Sequence, residues 1–312
     1  MSCKDLILVL GHARSGTSAL ARVISLCGYN LPAAVYGATD WNPTGHWEPV
    51  DVTNLNVEFA SSVGIVDDPS MRLQEIDISE NVRNDYIKRI QALLSAYPDG
   101  RVVLKEFRLN ELLDFWLEAA RRNDVSVRIV IALRHPAEVF ASSSAGSNGA
   151  SSSIKSTPQT CIETFNTFWL KTNLLAERQS RALPRIFVEY SNLMRNWRTE
   201  VGRMSRALEI DLEVDESAIE AFLTPALHRQ RHSGPITETF GYSWVTRVYS
   251  TFSAAAQDRS LDTPSLDEIY HAYRLNARAF RLSMRSSTDQ SSVEQLREFV
   301  DHLPVWRSGC EF

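Results

Sequence analysis

The chain has 312 residues, of which 44% are hydrophobic, so it is long enough to bury a large α/β core. Its formal net charge of −5 and pI near 5.9 argue against binding nucleic acid or a membrane surface through general basicity. The four cysteines share no C-x-x-C spacing, and no apolar stretch reaches the length of a membrane-spanning helix. The first apolar run begins close to Met1, which leaves little room for a cleaved signal. We therefore expect a cytoplasmic protein without a membrane span, a nucleic-acid partner or a zinc site.

The first candidate site lies near the start of the chain, where residues 6–18 read LILVLGHARSGTS. The apolar run predicts a buried strand, Gly11 to Thr17 a turn, and residues 18–26 a helix. A strand, a glycine-bearing turn and a helix N-terminus form an anion site, because backbone amides converge there. The two glycines are spaced as in the phosphate loop G-x-x-x-x-G-K-[ST], but Thr17 replaces the lysine and Arg14 supplies the cation.

Short apolar runs alternate with helical patterns along the rest of the chain. The further predicted strands are 101–105, 127–134 and 185–190. The predicted helices are 51–62, 79–97, 110–122, 161–181, 192–208, 218–223 and 266–303. Two stretches predict irregular structure: 28–50, which is rich in proline and glycine, and the Ser-rich stretch 142–157, which we expect to be a mobile loop.

This alternation predicts an α/β protein with a P-loop-type three-layer fold, in which a central, mostly parallel sheet is flanked by helices. We expect a single domain over residues 1–312. Its core would span about 5–235, and a C-terminal helical extension would span about 236–312.

Cations lie at or just after the carboxyl ends of three of the predicted strands: Arg14, Lys105 and Arg134. Ligands of parallel sheets bind outside the carboxyl ends of the strands, so three cations at that rim predict an anion pocket. No strand is followed by an aspartate that could hold Mg²⁺, and the loop lysine is missing. We therefore expect no metal. Charge balance by protein cations suits a transferred group with less charge than a phosphoryl group, such as a sulfuryl group.

Two elements resemble those of sulfotransferases that use 3′-phosphoadenosine 5′-phosphosulfate (PAPS), of the bacterial and carbohydrate-type branch. HARSGTS at 12–18 is similar to the family's 5′-phosphosulfate loop, with Arg14 where lysine is common. RHPAEVFASS, which begins at Arg134, is similar to the 3′-phosphate element, with Ser142 eight residues after the arginine. Three further segments show a weaker similarity to this family: WNPTGHWEP at 41–49, VLKEFRL at 103–109 and VEYSNL at 188–193.

The resemblance implies a role for each matching residue. The loop residues that would hold the 5′-phosphosulfate are Arg14, Ser15, Gly16, Thr17 and Ser18. Arg134 and Ser142 would bind the 3′-phosphate, and Tyr190 would lie near the adenine. Arg231, in the basic run LHRQRHSG at 227–234, would help to cap the nucleotide. Lys105 would stabilise the leaving group.

Transfer also needs a base that takes the proton of the attacking hydroxyl. Glu48 is the first candidate, because Trp41 and Trp47 beside it could desolvate its carboxylate and raise its pKa. His46 is the second candidate, by the intrinsic pKa of imidazole. Glu106 is the third, since alternation along an extended chain would point it away from the neighbouring strand-end lysine.

The resemblance implies an acceptor hydroxyl on a small molecule, glycan or glycolipid. Two alternatives stay open at this point. One is a P-loop phosphotransferase or kinase, against which the missing lysine and metal-binding aspartate count. The other is a non-catalytic nucleotide-binding protein that has kept the fold and lost its base.

Overall fold

Four parallel strands form the central sheet of the computed structural model, which describes residues 3–40, 42–65, 77–97, 100–146, 158–224, 227, 231–232, 234–238, 242–284 and 305–307. The strands are β1 (Cys3–Leu10), β2 (Ala34–Tyr36), β3 (Gly100–Lys105), β4 (Ser126–Leu133), β5 (Arg185–Glu189) and β6 (Val305–Arg307). The parallel sheet has the order β3-β1-β4-β5, and β2 pairs with β6 in an antiparallel ribbon.

Helices cover both faces of this sheet. They are α1 (Thr17–Ser25), α2 (Val50–Ser62), α3 (Glu80–Ala96), α4 (Leu109–Arg122), α5 (Pro136–Gly146), α6 (Pro158–Gln179), α7 (Tyr190–Arg195), α8 (Trp197–Leu208), α9 (Glu216–Phe222), α10 (Trp244–Ala255) and α11 (Thr263–Met284). The predicted α/β class, with a mostly parallel sheet flanked by helices, is confirmed.

Side chains of β1 alternate between two hydrophobic clusters, one on each face of the sheet. Leu6, Leu8 and Leu10 lie in the cluster that includes residues of α2, α3, α4, α6, α10 and α11. Ile7 and Val9 lie in the cluster that includes residues of α1, α7 and α8. An apolar run without polar alternation is what a strand buried on both faces requires.

The strand order places a crevice at the carboxyl ends of β1 and β4. The chain leaves β1 to form β3 on one side, and then returns to form β4 on the other side of β1. Connections therefore diverge between these two neighbours, which is where open α/β sheets bind ligands. Gly11 follows β1 and Arg134 follows β4, so both lie at this crevice.

Several helices and strands differ from the sequence-based expectation. The predicted helix 192–208 is two helices, because Asn196 ends α7 and caps α8, its side chain accepting the Thr199 N–H at 3.2 Å. The excursion at 28–50 contains β2, whose partner strand β6 is remote in sequence. Helix α10 was not predicted.

The Ser-rich stretch is not a loop from its start, because α5 continues through Ser142 to Gly146. Ser143 and Ser144 donate their hydroxyls to carbonyls four residues earlier, which lets serine lie within a helix. Residues 147–157 of the predicted loop, and Trp41, lie outside the described residues. Within the described ranges, no helix has the length and apolar character needed to cross a membrane.

Substitution of Gly11 tests how closely the turn after β1 packs on β4. Its φ is 125°, and a Cβ would lie 2.5 Å from the carbonyl oxygen of Ala132. Gly11→Ala is expected to lower the free energy of unfolding by about 2 kcal/mol or more, as measured by urea denaturation. Gly202→Ala is the control within α8, where a Cβ would meet only Arg206 Nη1 at 3.6 Å, and it should stabilise by about 0.5–1 kcal/mol. Equal effects of the two substitutions would contradict the packing argument.

Candidate active site

The turn between β1 and α1 is held by a side chain that sequence reasoning missed. Asn110 accepts the Gly11 N–H through Oδ1 at 2.8 Å and donates to the Gly11 carbonyl at 3.3 Å. Arg14 and Gly16 have positive φ values of 68° and 92°. No side chain caps α1, whose first turn also lacks an acidic residue. The first N–H groups of α1 are therefore available to an anion.

Arg134 is buried beside this turn and contacts it. Its Nη1 donates to the carbonyl oxygen of Arg14 at 3.3 Å, and its Nε donates to Oε2 of Glu138 at 2.8 Å. The guanidinium lies 4.7 Å from the centre of the Tyr190 ring, in a cation–π contact. Tyr190 in turn packs on Gly16, where a Cβ would collide with the ring. The arginine that follows β4 and the loop that follows β1 thus form one structure.

A second arginine of the same crevice lies close to Arg134. Arg14 donates from Nε to the hydroxyl of Ser142 at 3.2 Å. Burial lowers the pKa of Arg14, and the nearby charge of Arg134 lowers it further. Two neighbouring guanidinium groups concentrate positive charge, which favours the binding of an anion. The predicted 5′ and 3′ elements, including Ser142, are therefore brought together.

The predicted catalytic residues form a neighbouring group at the end of β3. Lys105 and Glu48 form an ion pair, with side chains 8% and 12% exposed. Lys105 Nζ also donates to the His46 carbonyl oxygen at 3.4 Å. The Tyr36 carbonyl oxygen of β2 accepts the N–H groups of His46 and Trp47. This pairing holds residues 46–48 over the carboxyl end of β3.

The expected environment of Glu48 is corrected by the structure. Trp47 has a φ of 59°, and its ring lies under the Arg22 guanidinium at 4.7 Å and against Phe222 of α9 at 6.5 Å. The ion-pair partner of Glu48 is Lys105. The reversed backbone at Trp47 takes the indole towards α1 and α9, so this tryptophan is part of the packing.

His46 is a weak candidate for the base. Burial lowers its pKa to about 4, and the charge of Lys105 and then that of Arg14 act in the same direction. Its Nε2 lies 3.0 Å from the hydroxyl oxygen of Thr39. The imidazole is therefore neutral at neutral pH and linked to the excursion. The charges of cations from both groups of site residues act on this ring.

Glu106 is more deeply buried than the other candidates. Its Oε2 accepts from Asn56 Nδ2 at 2.6 Å and from the Arg108 N–H at 3.0 Å. Burial, followed by the charge of Glu48, raises the pKa of Glu106 to about 7. Asn56 also accepts the Tyr86 hydroxyl at 2.6 Å, which links this carboxyl to α2 and α3. The only sequence signal for Asn56 was a polar residue on the apolar side of a predicted helix.

Tyr190 is linked to the region of the predicted basic cap. Its hydroxyl donates to the carbonyl oxygen of Leu227 at 3.1 Å, at the start of the predicted basic cap. Arg231 is exposed. Glu189, the last residue of β5 and the one before Tyr190, accepts the hydroxyls of Tyr249 and Ser253 from α10. Residues 228–230 lie outside the described ranges, and the described part of the chain has no group of three or more His, Cys, Asp or Glu that could hold a metal ion.

The raised pKa of Glu106 predicts that the stability of the protein depends on pH. Its pKa is raised in the folded protein, so folding favours the protonated acid, and stability is lost as the pH rises from about 4.5 to about 7. Glu106→Gln keeps an acceptor for Asn56 and removes this loss. The difference in free energy of unfolding between the variant and the wild type should therefore shift in favour of the variant by up to about 3 kcal/mol from pH 5 to pH 8. Urea denaturation at both pH values measures the difference, and a pH-independent difference would contradict the raised pKa.

Comparison with known proteins gives no matching family model and no matching curated protein. Solved structures with a similar chain path include two sulfotransferase domains. One is the sulfotransferase domain from the curacin biosynthetic pathway, with 12% identity and a TM-score of 0.42, covering 84% of this chain and all of that one. The other is the sulfotransferase domain from the Synechococcus PCC 7002 olefin synthase, with 16% identity and a TM-score of 0.39, covering 96% of this chain and 94% of that one.

Proposed function

We propose that this chain is a sulfotransferase that moves a sulfuryl group from PAPS to an acceptor hydroxyl. One observation carries the proposal: the hydrogen bond from Arg134 Nη1 to the Arg14 carbonyl oxygen joins two anion-binding elements in one crevice. PAPS carries anionic groups at two points, the 5′-phosphosulfate and the 3′-phosphate, and therefore needs such a pair of elements. An uncapped helix start supplies N–H donors to the first, and a buried guanidinium serves the second.

The residues present fit the donor in chemical terms. The 5′-phosphosulfate would lie at the N–H groups of Gly16, Thr17 and Ser18, beside the Arg14 guanidinium. The 3′-phosphate would be held by Arg134, whose planar fork suits a phosphate. The positive φ of Gly16 and its contact with Tyr190 leave no room for a side chain, so the backbone itself can approach the ligand.

The Lys105–Glu48 pair supplies the two groups that transfer needs. The acceptor oxygen attacks sulfur, and the bond between sulfur and the bridging oxygen breaks. The bridging oxygen keeps the electron pair, and adenosine 3′,5′-bisphosphate leaves. Glu48 takes the acceptor's proton, while Lys105 donates to the oxygen that gains negative charge. An ammonium has three N–H donors, so Lys105 can hold Glu48 and still serve the leaving group.

Phosphoryl transfer is a poorer fit to these residues. The position that holds lysine in nucleotide triphosphatases is Thr17, which is 5% exposed. The acids at the rim are engaged with other side chains: Glu48 with Lys105, Glu138 with Arg134. The sulfuryl group carries less charge than a phosphoryl group, and protein cations can balance it.

The acceptor class follows from the resemblance to carbohydrate-type enzymes, and we propose a hydroxyl of a carbohydrate or glycolipid. The test is incubation with PAPS that carries labelled sulfate and a panel of sugars, glycolipids and phenols. Label on an acceptor hydroxyl is the expected result. Tight binding of adenosine 3′,5′-bisphosphate without transfer to any acceptor would indicate a non-catalytic nucleotide-binding protein. Transfer of phosphate from ATP would indicate a phosphotransferase.

Arg134→Ala tests the 3′-phosphate site. Loss of a charge-assisted pair at a buried position is expected to weaken adenosine 3′,5′-bisphosphate by about 30-fold to 1000-fold. Affinity for adenosine 5′-phosphate, which lacks the 3′-phosphate, should change little. Calorimetric titration of both nucleotides measures the ratio. Arg128→Ala is the control on the same strand, because Arg128 pairs with Asp5 at the opposite end of the sheet. Equal losses for both nucleotides in Arg134→Ala would remove the assignment.

Glu48→Gln tests the base. The amide keeps the size of the side chain and an acceptor for Lys105 but removes basicity. Turnover is expected to fall by about 10²-fold to 10⁴-fold, with little change in nucleotide affinity. His46→Asn should cost less than about tenfold, since the ring is a weak base at a pKa near 4. The reverse order of effects, from initial rates of sulfate transfer, would assign the base to His46. Near-normal rates in both variants would direct attention to Glu106.

A further inference from the structure

Glu138 lies in the first turn of α5 and uses each carboxylate oxygen for a different partner. The residue is 6% exposed. Its Oε2 accepts from Arg134 Nε at 2.8 Å, and its Oε1 accepts the backbone N–H of His232 at 2.8 Å. One side chain therefore joins the arginine that follows β4 to a segment almost a hundred residues later.

Leu227, which precedes His232 in the chain, is tied to the same arginine through Tyr190. The Tyr190 hydroxyl donates to the carbonyl oxygen of Leu227 at 3.1 Å, and the Tyr190 ring lies against the Arg134 guanidinium. Leu227 and His232 are thus each attached to a neighbour of Arg134, the first through Tyr190 and the second through Glu138. The rings of His135 and His232, 5.3 Å apart, add another contact at His232.

We propose that Glu138 is a positioning residue that sets the plane of the Arg134 guanidinium and the place of the His232 backbone together. The inference rests on the proposed function, because it assigns Arg134 to the 3′-phosphate. The guanidinium is a rigid planar fork, so a hydrogen bond at Nε orients both Nη groups. Bidentate recognition of phosphate tolerates errors of only about 0.5 Å or 10–20°.

Glu138→Gln separates positioning from simple electrostatics, because the two predict opposite changes in the affinity for adenosine 3′,5′-bisphosphate. Removal of a negative charge next to Arg134 would by itself strengthen the binding of an anion. The amide, however, has one oxygen for two donors, Arg134 Nε and the His232 N–H, so one of the two is displaced. Positioning therefore predicts about tenfold weaker binding of adenosine 3′,5′-bisphosphate and less than a twofold change for adenosine 5′-phosphate.

Glu138→Asp and Glu177→Gln complete the comparison. The aspartate keeps the charge but is one methylene shorter, so it should not restore the affinity for the bisphosphate. Glu177 is a buried carboxylate that pairs with Arg181, four residues later, as Glu138 is paired with an arginine four residues away. It also pairs with Arg185 at the start of β5, which lies away from the crevice. Glu177→Gln should lower the free energy of unfolding and leave both nucleotide affinities unchanged.

Calorimetric titration of both nucleotides into the full-length wild-type and variant proteins is the test, with hydrogen exchange of the His232 amide as a second measurement. The expected result is loss of preference for the bisphosphate in Glu138→Gln and Glu138→Asp, with faster exchange at His232. An unchanged or greater preference in Glu138→Gln would overturn the positioning role. If that variant does not fold, full affinity in Glu138→Asp would overturn it. A wild-type protein that binds both nucleotides equally would instead overturn the proposed function, and the inference with it.

Discussion

The contact between Arg134 and the carbonyl oxygen of Arg14 is the constraint on which the site depends. A buried guanidinium needs hydrogen-bonding or charge-stabilising neighbours, because its desolvation otherwise costs several kcal/mol. Glu138, the Tyr190 ring and the loop carbonyl meet this requirement together. The same contacts hold the loop that follows β1 in place, so the two strand ends cannot be arranged independently.

The site concentrates positive charge in a protein whose net charge is negative. Each acid near the strand ends has a defined partner: Glu48 has Lys105, Glu138 has Arg134, and Glu189 has the hydroxyls of Tyr249 and Ser253. Glu106 is different, since burial and the charge of Glu48 favour its protonated form up to about pH 7. Local field, rather than total charge, therefore determines what the crevice can bind.

The C-terminal helices contribute to the site although their sequence matched no motif. Tyr249 and Ser253 of α10 hold Glu189, and the Tyr249 ring contacts His135 next to Arg134. Residues of α10 and α11 share the hydrophobic cluster that contains Leu6 and Leu8 of β1. The helices that follow the predicted core thus pack on the sheet, and α10 contacts the residue next to Arg134.

The sequence by itself determined the parallel sheet, the turn after β1 and the cations at three strand ends, because apolar runs, glycine spacing and residue order are local properties. Only the tertiary structure decided which partner each charged group has. Glu48 and its partner Lys105 are 57 positions apart in the sequence. Asn110 supports Gly11 from 99 positions away, and Glu138 binds the His232 N–H from 94 positions away. Such contacts depend on how the chain crosses the sheet, and no periodicity along the sequence records that path.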